Sequence, residues 1–266
     1  MTTVLVSANA LQQPAHFLDA RFNLADPQAG QQQFLSGHID GARHIDIERD
    51  LSDMTSTAGR HPMPSKEQLE AVVHRLGLTY DQPIYIYDEG GQPFAARAYF
   101  MLQYAGFTNA YIVKEGYKGL VAAGYDVTTT VESTTTTMPI QWNDALSVDR
   151  AHVKEVARGK TPKVLVDARS AVRYRGEHEP IDPVAGHIPT ARNYDWEQLV
   201  KDGQLTANDT LTNTVSKDEH IIVYCGSGVT ASPLYAMLKQ LDYPHVQVYT
   251  GSFSDWITEE PVEQSE

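Results

Sequence analysis

Short apolar runs alternate along this chain with longer segments whose apolar residues recur at helical spacing. The runs predict buried strands at residues 4–6, 16–18, 83–87, 110–113, 164–166, 221–224 and 246–249. The periodic segments predict helices at 66–76, 95–104, 118–123 and about 231–241, the first of them capped by Ser65 and Gln68. Strands that alternate with helices predict an α/β fold, with a mostly parallel central sheet and helices on both faces.

The same short sequences occur twice along the chain, in the same order. FLDAR at 17–21 returns as LVDAR at 165–169, and GHI at 37–39 returns at 186–188. IYIYD at 84–88 aligns with IIVYC at 221–225. Because only the spacing between these segments changes, we predict two tandem domains of one fold, at 1–128 and 146–266. The threonine-rich stretch within 129–145 is predicted to be the linker.

Composition narrows the class of protein. The chain has 266 residues, of which 41% are hydrophobic and 21% charged, as is typical of soluble globular domains. A net charge of −13 without a basic run argues against a nucleic-acid partner. No segment approaches the roughly 18 apolar residues of a membrane span, and the first 13 residues do not resemble a secretory signal. We therefore expect a cytoplasmic protein with no membrane partner.

The chain has a single cysteine, which excludes an internal disulfide and any metal site with two or more thiolates. Cys225 follows the apolar run at 221–224 and opens a glycine-rich turn before the helix predicted from 231. Gly226 and Gly228 let the backbone curl so that its N–H groups bind an anion at the helix N-terminus. Such a position favours the thiolate and predicts a nucleophile rather than an inert buried thiol.

The loop CGSGVTA at 225–231 resembles the active-site loop of the mercaptopyruvate branch of the rhodanese family. GHIP at 186–189 and GSFSDW at 251–256 resemble two further signatures of that family. The resemblance implies two rhodanese-like domains, of which the first is not catalytic because Asp88 replaces the cysteine. It implies a sulfurtransferase that carries sulfane sulfur as a Cys225 persulfide, with no metal and no organic cofactor. The loop residues implied to bind substrate are Gly226, Gly228, Val229 and Thr230.

The resemblance also suggests the substrates. The donor would be 3-mercaptopyruvate or thiosulfate, and the acceptor a thiol such as thioredoxin, or cyanide. Neutral Gly226 and Ser227 favour 3-mercaptopyruvate, since the thiosulfate branch has basic side chains at these positions. The resemblance places Ser227 in a proton relay with His38 and Asp26 of the first domain. A structural role is the alternative for His38, because the same histidine recurs at 187.

Arginines are the candidate ligands for a donor carboxylate. Arg173 matches a substrate-binding arginine of the family, whereas the second such arginine, nine residues later, is replaced by Asp182. Arg175 is the candidate substitute. Arg21 and Arg169 both follow an aspartate in the repeated Asp-Ala-Arg, and are therefore predicted to be structural ion-pair residues.

Three alternatives depend on the same cysteine loop. Thiosulfate:cyanide sulfurtransferase activity is one alternative, and a module that carries or senses a persulfide without turnover is another. A cysteine-dependent phosphatase uses a similar loop, but it needs an arginine six positions after the cysteine, where this chain has Ala231.

Overall fold

The structure, a computed structural model, describes residues 2–265 apart from the side chain of Asp209. The first domain has seven strands among these residues: β1 (Leu5–Val6), β2 (His16–Asp19), β3 (His38–Ile39), β4 (Ala42–His44), β5 (Ile84–Tyr87), β6 (Ala110–Val113) and β7 (Val127–Thr128). Its helices are α1 (Ala29–Ser36), α2 (Lys66–Arg75), α3 (Phe94–Tyr104) and α4 (Gly116–Ala122).

The second domain repeats this pattern with loops of different length. Its strands are β8 (Ser147–Val148), β9 (Val164–Asp167), β10 (Arg192–Asn193), β11 (Val200–Lys201), β12 (Gln204–Leu205), β13 (Ile221–Tyr224) and β14 (Val246–Tyr249). Its helices are α5 (Arg150–Ala157), α6 (Ala171–Tyr174), α7 (Asp209–Thr214), α8 (Ala231–Gln240) and α9 (Ser252–Trp256).

Each domain is built on a sheet of five parallel strands. The spatial order is β1-β6-β5-β2-β4 in the first domain and β8-β14-β13-β9-β10 in the second. The registers also correspond, since Asp19 pairs with Tyr87 in the first sheet and Asp167 with Tyr224 in the second. The predicted α/β fold with two tandem copies is confirmed.

The predicted elements agree with the observed ones to within two residues at their ends. Helix α2 has the predicted capping box, in which Ser65 Oγ accepts the N–H of Gln68 and the Gln68 side chain accepts the N–H of Ser65. Helix α1 escaped prediction because its sequence is AGQQQFLS and only Gly30 and Phe34 are buried. Its two large apolar side chains, Phe34 and Leu35, are adjacent, so apolar residues do not recur at helical spacing.

The two domains share an apolar core that runs between α3 and α8. Phe100 of α3 meets Tyr235 of α8 edge to face, with ring centroids 5.2 Å apart. Residues 129–143 contain no helix or strand, and we propose the division 1–128, 129–145 and 146–266. Among the described residues, no helix is long and apolar enough to cross a membrane.

Candidate active site

Cys225 lies directly after β13, in the centre of the second sheet, and is fully buried. Its Sγ accepts a hydrogen bond from the N–H of Gly228 at 3.1 Å. The loop then leads into α8, whose N-terminus carries a partial positive charge. Both features stabilise negative charge on sulfur, so the cysteine lies where a nucleophile would be activated.

The two loop glycines are needed for different reasons. Gly228 has a φ of 83°, and a Cβ there would lie 2.2 Å from the carbonyl oxygen of Thr250. A Cβ on Gly226 would instead lie 2.5 Å from the guanidinium of Arg60. Gly228 therefore permits the turn, whereas Gly226 leaves room for a side chain of the first domain.

The start of α9 holds the cysteine loop in place. Ser252 Oγ accepts the N–H of Cys225 at 3.1 Å and donates to the carbonyl of Tyr249 at 2.8 Å. The N–H groups of Phe253 and Ser254 donate to the carbonyls of Cys225 and Gly226, both at 2.9 Å. Ser252 donates its single hydroxyl proton to the carbonyl of Tyr249. The hydrogen bond that Cys225 Sγ accepts therefore comes from the N–H of Gly228.

A histidine of the first domain meets Ser227. His61, in the loop between β4 and α2, places Nδ1 2.9 Å from Ser227 Oγ. Its Nε2 lies 3.6 Å from Oε1 of Glu48, so we assign the ring proton to Nε2 and the acceptor role to Nδ1. Burial and the charges of Arg97 and Arg60 lower the pKa of His61 to about 4. His61 is thus a neutral base at neutral pH.

Glu48 completes this chain of polar groups. Burial and the neighbouring Asp46 raise the pKa of Glu48 above its usual value. A carboxylate beside Nε2 orients the imidazole and stabilises it when it takes up a proton. Ser227, His61 and Glu48 form a line of three groups that leads from the cysteine loop into the first domain.

The structure does not bring His38 and Asp26 to Ser227. Both ring nitrogens of His38 contact backbone carbonyls, Nδ1 that of Phe34 at 2.7 Å and Nε2 that of Thr130 at 3.1 Å. Asp26 lies in an exposed turn, where its carboxylate accepts the N–H of Gln28. His38 therefore has the structural role that was its alternative. The first-domain side chain that does meet Ser227 is His61, with Glu48 beside its other ring nitrogen.

Sequence reasoning missed His61 because the repeat drew attention to the histidine present in both copies. The segment around His61, AGRHPMP at 58–64, carries no strand or helix pattern. The available signal was that the second copy has no corresponding histidine. A residue needed at a single site formed by both domains is expected in only one copy.

Arg173, in α6, also reaches the cysteine loop. A Cβ on Gly226 would lie 3.5 Å from its Nη2. Glu179 accepts from Nε and Nη2 of Arg173, and Asp182 accepts from Nη2 at 3.0 Å. Arg175 points elsewhere, since it pairs with Glu177 at the surface. Arg175 is thus no substitute for the missing arginine. The guanidinium found beside Arg173 belongs to Arg60.

The two remaining loop residues predicted to bind substrate, Val229 and Thr230, lie between Gly228 and α8. Val229 packs in the apolar core, and Thr230 precedes α8 in a half-buried position. Either residue would bind substrate through its backbone. The hydrogen bond that the structure gives to Sγ comes from Gly228.

Arg97 lies beneath the site, at the domain interface. This fully buried residue of α3 donates to the carbonyls of Gly228 at 3.2 Å, Leu51 at 3.1 Å and His61 at 3.3 Å. Burial lowers the pKa of Arg97 to about 10, an effect opposed by negative charge on Cys225. The guanidinium stays charged at neutral pH and fixes the loops of both domains to each other.

Asp88 occupies the position of Cys225 in the first domain. Its carboxylate accepts the N–H groups of Gly90 at 2.8 Å and Ala95 at 3.0 Å. Burial raises its pKa to about 6. The aspartate thus fills its own loop, in agreement with a structural role for the first copy.

The repeated arginines form matching structural pairs. Arg21 pairs with Asp19 at 2.6 Å, and Arg169 pairs with Asp167 at 2.7 Å. Arg21 also donates to the carbonyl of Gly37, as Arg169 does to that of Gly186. The same interaction in both copies supports the structural interpretation.

No three His, Cys, Asp or Glu side chains within residues 2–265 are grouped so that they could hold a metal ion. A cavity of about 470 Å³ lies between the domains. It is lined by residues such as Met63, Tyr104, Asp149 and Asp255 rather than by Cys225. The groups that could act on a substrate at Cys225 are therefore those around its own loop rather than those lining this cavity.

Comparisons with known proteins agree with this geometry. The Rhodanese-like domain family matches residues 5–123 and 151–259. A probable 3-mercaptopyruvate sulfurtransferase of Pseudomonas aeruginosa is 36% identical over 253 residues, which cover 91% of this chain and 89% of that protein. A putative thiosulfate sulfurtransferase of Mycobacterium tuberculosis, SseB, is 35% identical over 251 residues, covering 91% and 88%. The solved structure of SseA, a 3-mercaptopyruvate sulfotransferase from Escherichia coli, is 32% identical with a TM-score of 0.80, covering 95% of this chain and 100% of that one. The chain belongs to the rhodanese family.

Proposed function

We propose that this chain is a sulfurtransferase that takes sulfur from 3-mercaptopyruvate and holds it as a persulfide on Cys225. The observation that carries the proposal is the contact between Ser227 in the cysteine loop and His61, 2.9 Å apart. A sulfur donor whose leaving group must be protonated needs a proton path beside the nucleophile. Ser227 and His61 supply that path next to Cys225.

The first half-reaction is a displacement at sulfur. The Cys225 thiolate attacks the sulfur of the donor, an S–S bond forms, and the donor C–S bond breaks. The electron pair of the broken bond goes to carbon as the enolate of pyruvate. The proton of the donor thiol then moves to that carbon, so that one thiol and one thiolate become a persulfide anion and pyruvate.

Ser227 and His61 carry this proton. Neutral His61 accepts it through Ser227 and returns it to the enolate, and Glu48 stabilises the imidazolium in between. The N–H of Gly228 and the N-terminus of α8 stabilise the anionic sulfur before and after transfer. Arg173 binds the carboxylate of the donor.

The second half-reaction passes the outer sulfur to an acceptor. A thiolate or cyanide attacks that sulfur, the S–S bond breaks, and Cys225 leaves as a thiolate. Because Cys225 is the only cysteine, no internal disulfide can release the sulfur. We propose an external acceptor, either a reduced thiol protein of the thioredoxin type or cyanide, in a cytoplasmic setting where thiols stay reduced.

Thiosulfate is the second candidate donor, since the Mycobacterium tuberculosis relative is named for it. With thiosulfate the leaving group is sulfite, which departs as a stable anion without taking a proton from the enzyme. The Ser227–His61 contact therefore favours 3-mercaptopyruvate and gives no advantage with thiosulfate.

Side-by-side kinetics with the two donors test the proposal. We expect a higher kcat/KM for 3-mercaptopyruvate than for thiosulfate in the natural protein, and no activity in Cys225→Ser. Ser227→Ala should lower kcat/KM for 3-mercaptopyruvate by about 100-fold and for thiosulfate by far less. A preference for thiosulfate, or an equal loss with both donors in Ser227→Ala, would refute the proton path.

A further inference from the structure

Three neighbouring strands of the second sheet are each preceded by a basic residue. Lys163 comes directly before β9, His220 before β13 and His245 before β14. These strands are adjacent and parallel, so their amino ends meet at one edge of the sheet, opposite the edge that holds Cys225. Lys239, in the last turn of α8, lies at the same edge. Four groups that can carry positive charge are thus brought together.

These four residues line a cavity of about 410 Å³. The rest of its wall includes Asn143, Leu146, Pro244 and Gln247. None of the described residues that line it is an aspartate or a glutamate, although the chain has a net charge of −13. The volume falls in the range of small-molecule sites, about 300–1,000 Å³. A basic cavity in an acidic protein attracts small anions.

The two lysines have N–H groups to spare for a ligand. Lys163 Nζ donates to His152 Nε2 at 2.9 Å and to Gln247 Oε1 at 2.6 Å. Lys239 Nζ donates to the carbonyl of Tyr243 at 3.2 Å. Since an ammonium group has three donors, one remains on Lys163 and two on Lys239 within the described part of the chain. Burial lowers the pKa of both lysines, so a bound anion would stabilise their charged forms.

The first domain shows that the fold does not require basic residues before these strands. The registers of the two sheets correspond, and the residues that precede the equivalent strands β2, β5 and β6 are Ala15, Pro83 and Asn109. All three are neutral. The row of basic residues therefore belongs to the second copy alone.

The same comparison holds for the lysine of α8. Lys239 donates to the carbonyl four residues later, that of Tyr243. In α3 of the first domain, Gln103 Nε2 makes the equivalent hydrogen bond to the carbonyl of Phe107 at 2.7 Å. A neutral side chain thus fulfils this structural role, and the charge of Lys239 is not needed for it.

Neither a metal site nor helix stabilisation accounts for the cluster. The rings of His220 and His245 are stacked, with centroids 4.1 Å apart and planes 2° from parallel. Their nitrogen lone pairs lie in those planes and cannot both point at one metal ion. A helix C-terminus favours a nearby cation, which explains Lys239 but not the residues before the strands. Asp242 opposes the effect of burial on the pKa of Lys239, but it does not line the cavity.

We propose that this cavity binds the phosphate group of a small molecule, at a site separate from Cys225. Lys163 and Lys239 bind the phosphate oxygens through charged hydrogen bonds, and the imidazoles of His220 and His245 donate further N–H groups. A phosphate ion fills only part of about 410 Å³, which leaves room for an attached organic group. The stacked imidazoles offer that group a flat surface. The inference does not depend on the proposed function.

The test needs a local signal, because the Cys225 loop is also expected to bind anions. In the full-length protein labelled with ¹³C at histidine Cε1, NMR reports each imidazole separately. His220→Gln and His245→Gln assign the two signals of the cavity, and the signal of His61 reports the cysteine loop. Inorganic phosphate is added at a constant pH of about 7.5, where it is mostly a dianion.

We expect the signals of His220 and His245 to shift together and to saturate with a single Kd. If phosphate shifts the His61 signal but neither of these two, anions bind only at the cysteine loop and the proposal is overturned. Sulfur-transfer activity is not part of the measurement, so a failure of the proposed function would leave its outcome unchanged.

Lys163→Gln and Lys239→Gln test the ligands. Each should raise the Kd for phosphate in the cavity by about tenfold, through the loss of a charged hydrogen bond. Lys118→Gln is the matched control, since Lys118 is an exposed residue of α4 and its loss changes the net charge equally. This control should change the Kd by less than about twofold. Equal weakening by all three variants would show an effect of net charge only, and would overturn the site.

Lys239→Gln keeps the test decisive if Lys163→Gln does not fold, as thermal unfolding would show. We expect Lys239→Gln to fold, because Gln103 makes the equivalent hydrogen bond in the first domain. Phenyl phosphate then distinguishes the source of the phosphate group. A Kd at least about threefold below that of inorganic phosphate supports an organic phosphate ester as the ligand. An equal or higher Kd would overturn the ester and assign the cavity to the free ion.

Discussion

Ser227 and His61 come from different domains, and their contact places a neutral imidazole beside the cysteine loop. His61 is neutral because burial and two neighbouring arginines hold its pKa near 4. A histidine with an ordinary pKa would be about half protonated near pH 6.5, and only its neutral fraction could accept a proton there. Because the folded protein keeps His61 neutral, its free energy of unfolding should depend on pH.

We expect the free energy of unfolding to fall as the pH drops from about 6.5 to 4. In that window His61 binds a proton in the unfolded chain but not in the folded one, so protons favour unfolding. The contribution of His61 is at most about 3 kcal/mol, and it is fully present above pH 6.5. Chemical denaturation of the natural protein and of His61→Gln at several pH values measures it.

His16→Gln is the control for this measurement. Burial and Arg43 also lower the pKa of His16 to about 4, but His16 lies on β2 of the first domain and contacts Thr79. Both variants should flatten the dependence of stability on pH, whereas only His61→Gln should lose sulfur transfer. If His61→Gln leaves the pH dependence unchanged, His61 is not held neutral.

At the scale of elements, the site depends on the turn between β13 and α8 and on its attachment to α9. The turn needs Gly228 because its φ is positive and a side chain would meet the backbone of Thr250. A backbone obstacle cannot move aside, whereas the obstacle at Gly226 is the end of a flexible arginine. The two glycines should therefore respond differently to the same substitution.

Gly228→Ala should lower the free energy of unfolding by about 2–4 kcal/mol, because it combines an unfavourable φ with a clash against backbone. Gly226→Ala should cost less than about 1 kcal/mol, since Arg60 can shift. Gly226→Ala should nevertheless lower kcat/KM for 3-mercaptopyruvate, because the added methyl group takes up space beside Arg173 above the cysteine loop. Denaturation curves of both variants test the stability difference, and steady-state kinetics test the effect on the donor. Equal losses of stability in the two variants would contradict the structure.

The elements also show what the sequence could predict. Strand β13 follows from a continuous apolar run, β14 from apolar residues around a single glutamine, and helix α8 from a long apolar segment that is buried from Ala231 to Leu238. Cys225 followed from its place after β13. The segment with Arg60 and His61 has no regular structure, so its position depends on tertiary contacts that no local pattern encodes. For the same reason the partner of Ser227 could not be chosen from the sequence.

At the scale of the whole molecule, duplication has produced one site from two domains. The first domain has Asp88 in place of the cysteine, and the Asp88 carboxylate accepts backbone N–H groups of the equivalent loop. It kept α3, whose Arg97 binds carbonyls of Leu51, His61 and Gly228 across the interface. The first copy thus contributes His61, which contacts Ser227, and the buried cation of Arg97 that holds the loops together.

The repeat itself was visible in the sequence, because the two copies keep Asp-Ala-Arg and Gly-His-Ile for structural reasons. The same repetition misled the search for the relay, since it pointed to His38. The residues repeated in both copies stabilise the fold, whereas His61 contacts the cysteine loop, which occurs once in the chain. Repeats therefore reveal architecture better than they reveal catalytic partners.

The measurement that tests the account most directly is a single turnover with equimolar 3-mercaptopyruvate, followed by mass spectrometry and pyruvate assay. We predict that the protein gains the mass of one sulfur atom on the peptide containing Cys225 for each pyruvate released, and that His61→Gln forms this product far more slowly. Pyruvate released without sulfur on Cys225, or an equal rate in His61→Gln, would contradict it.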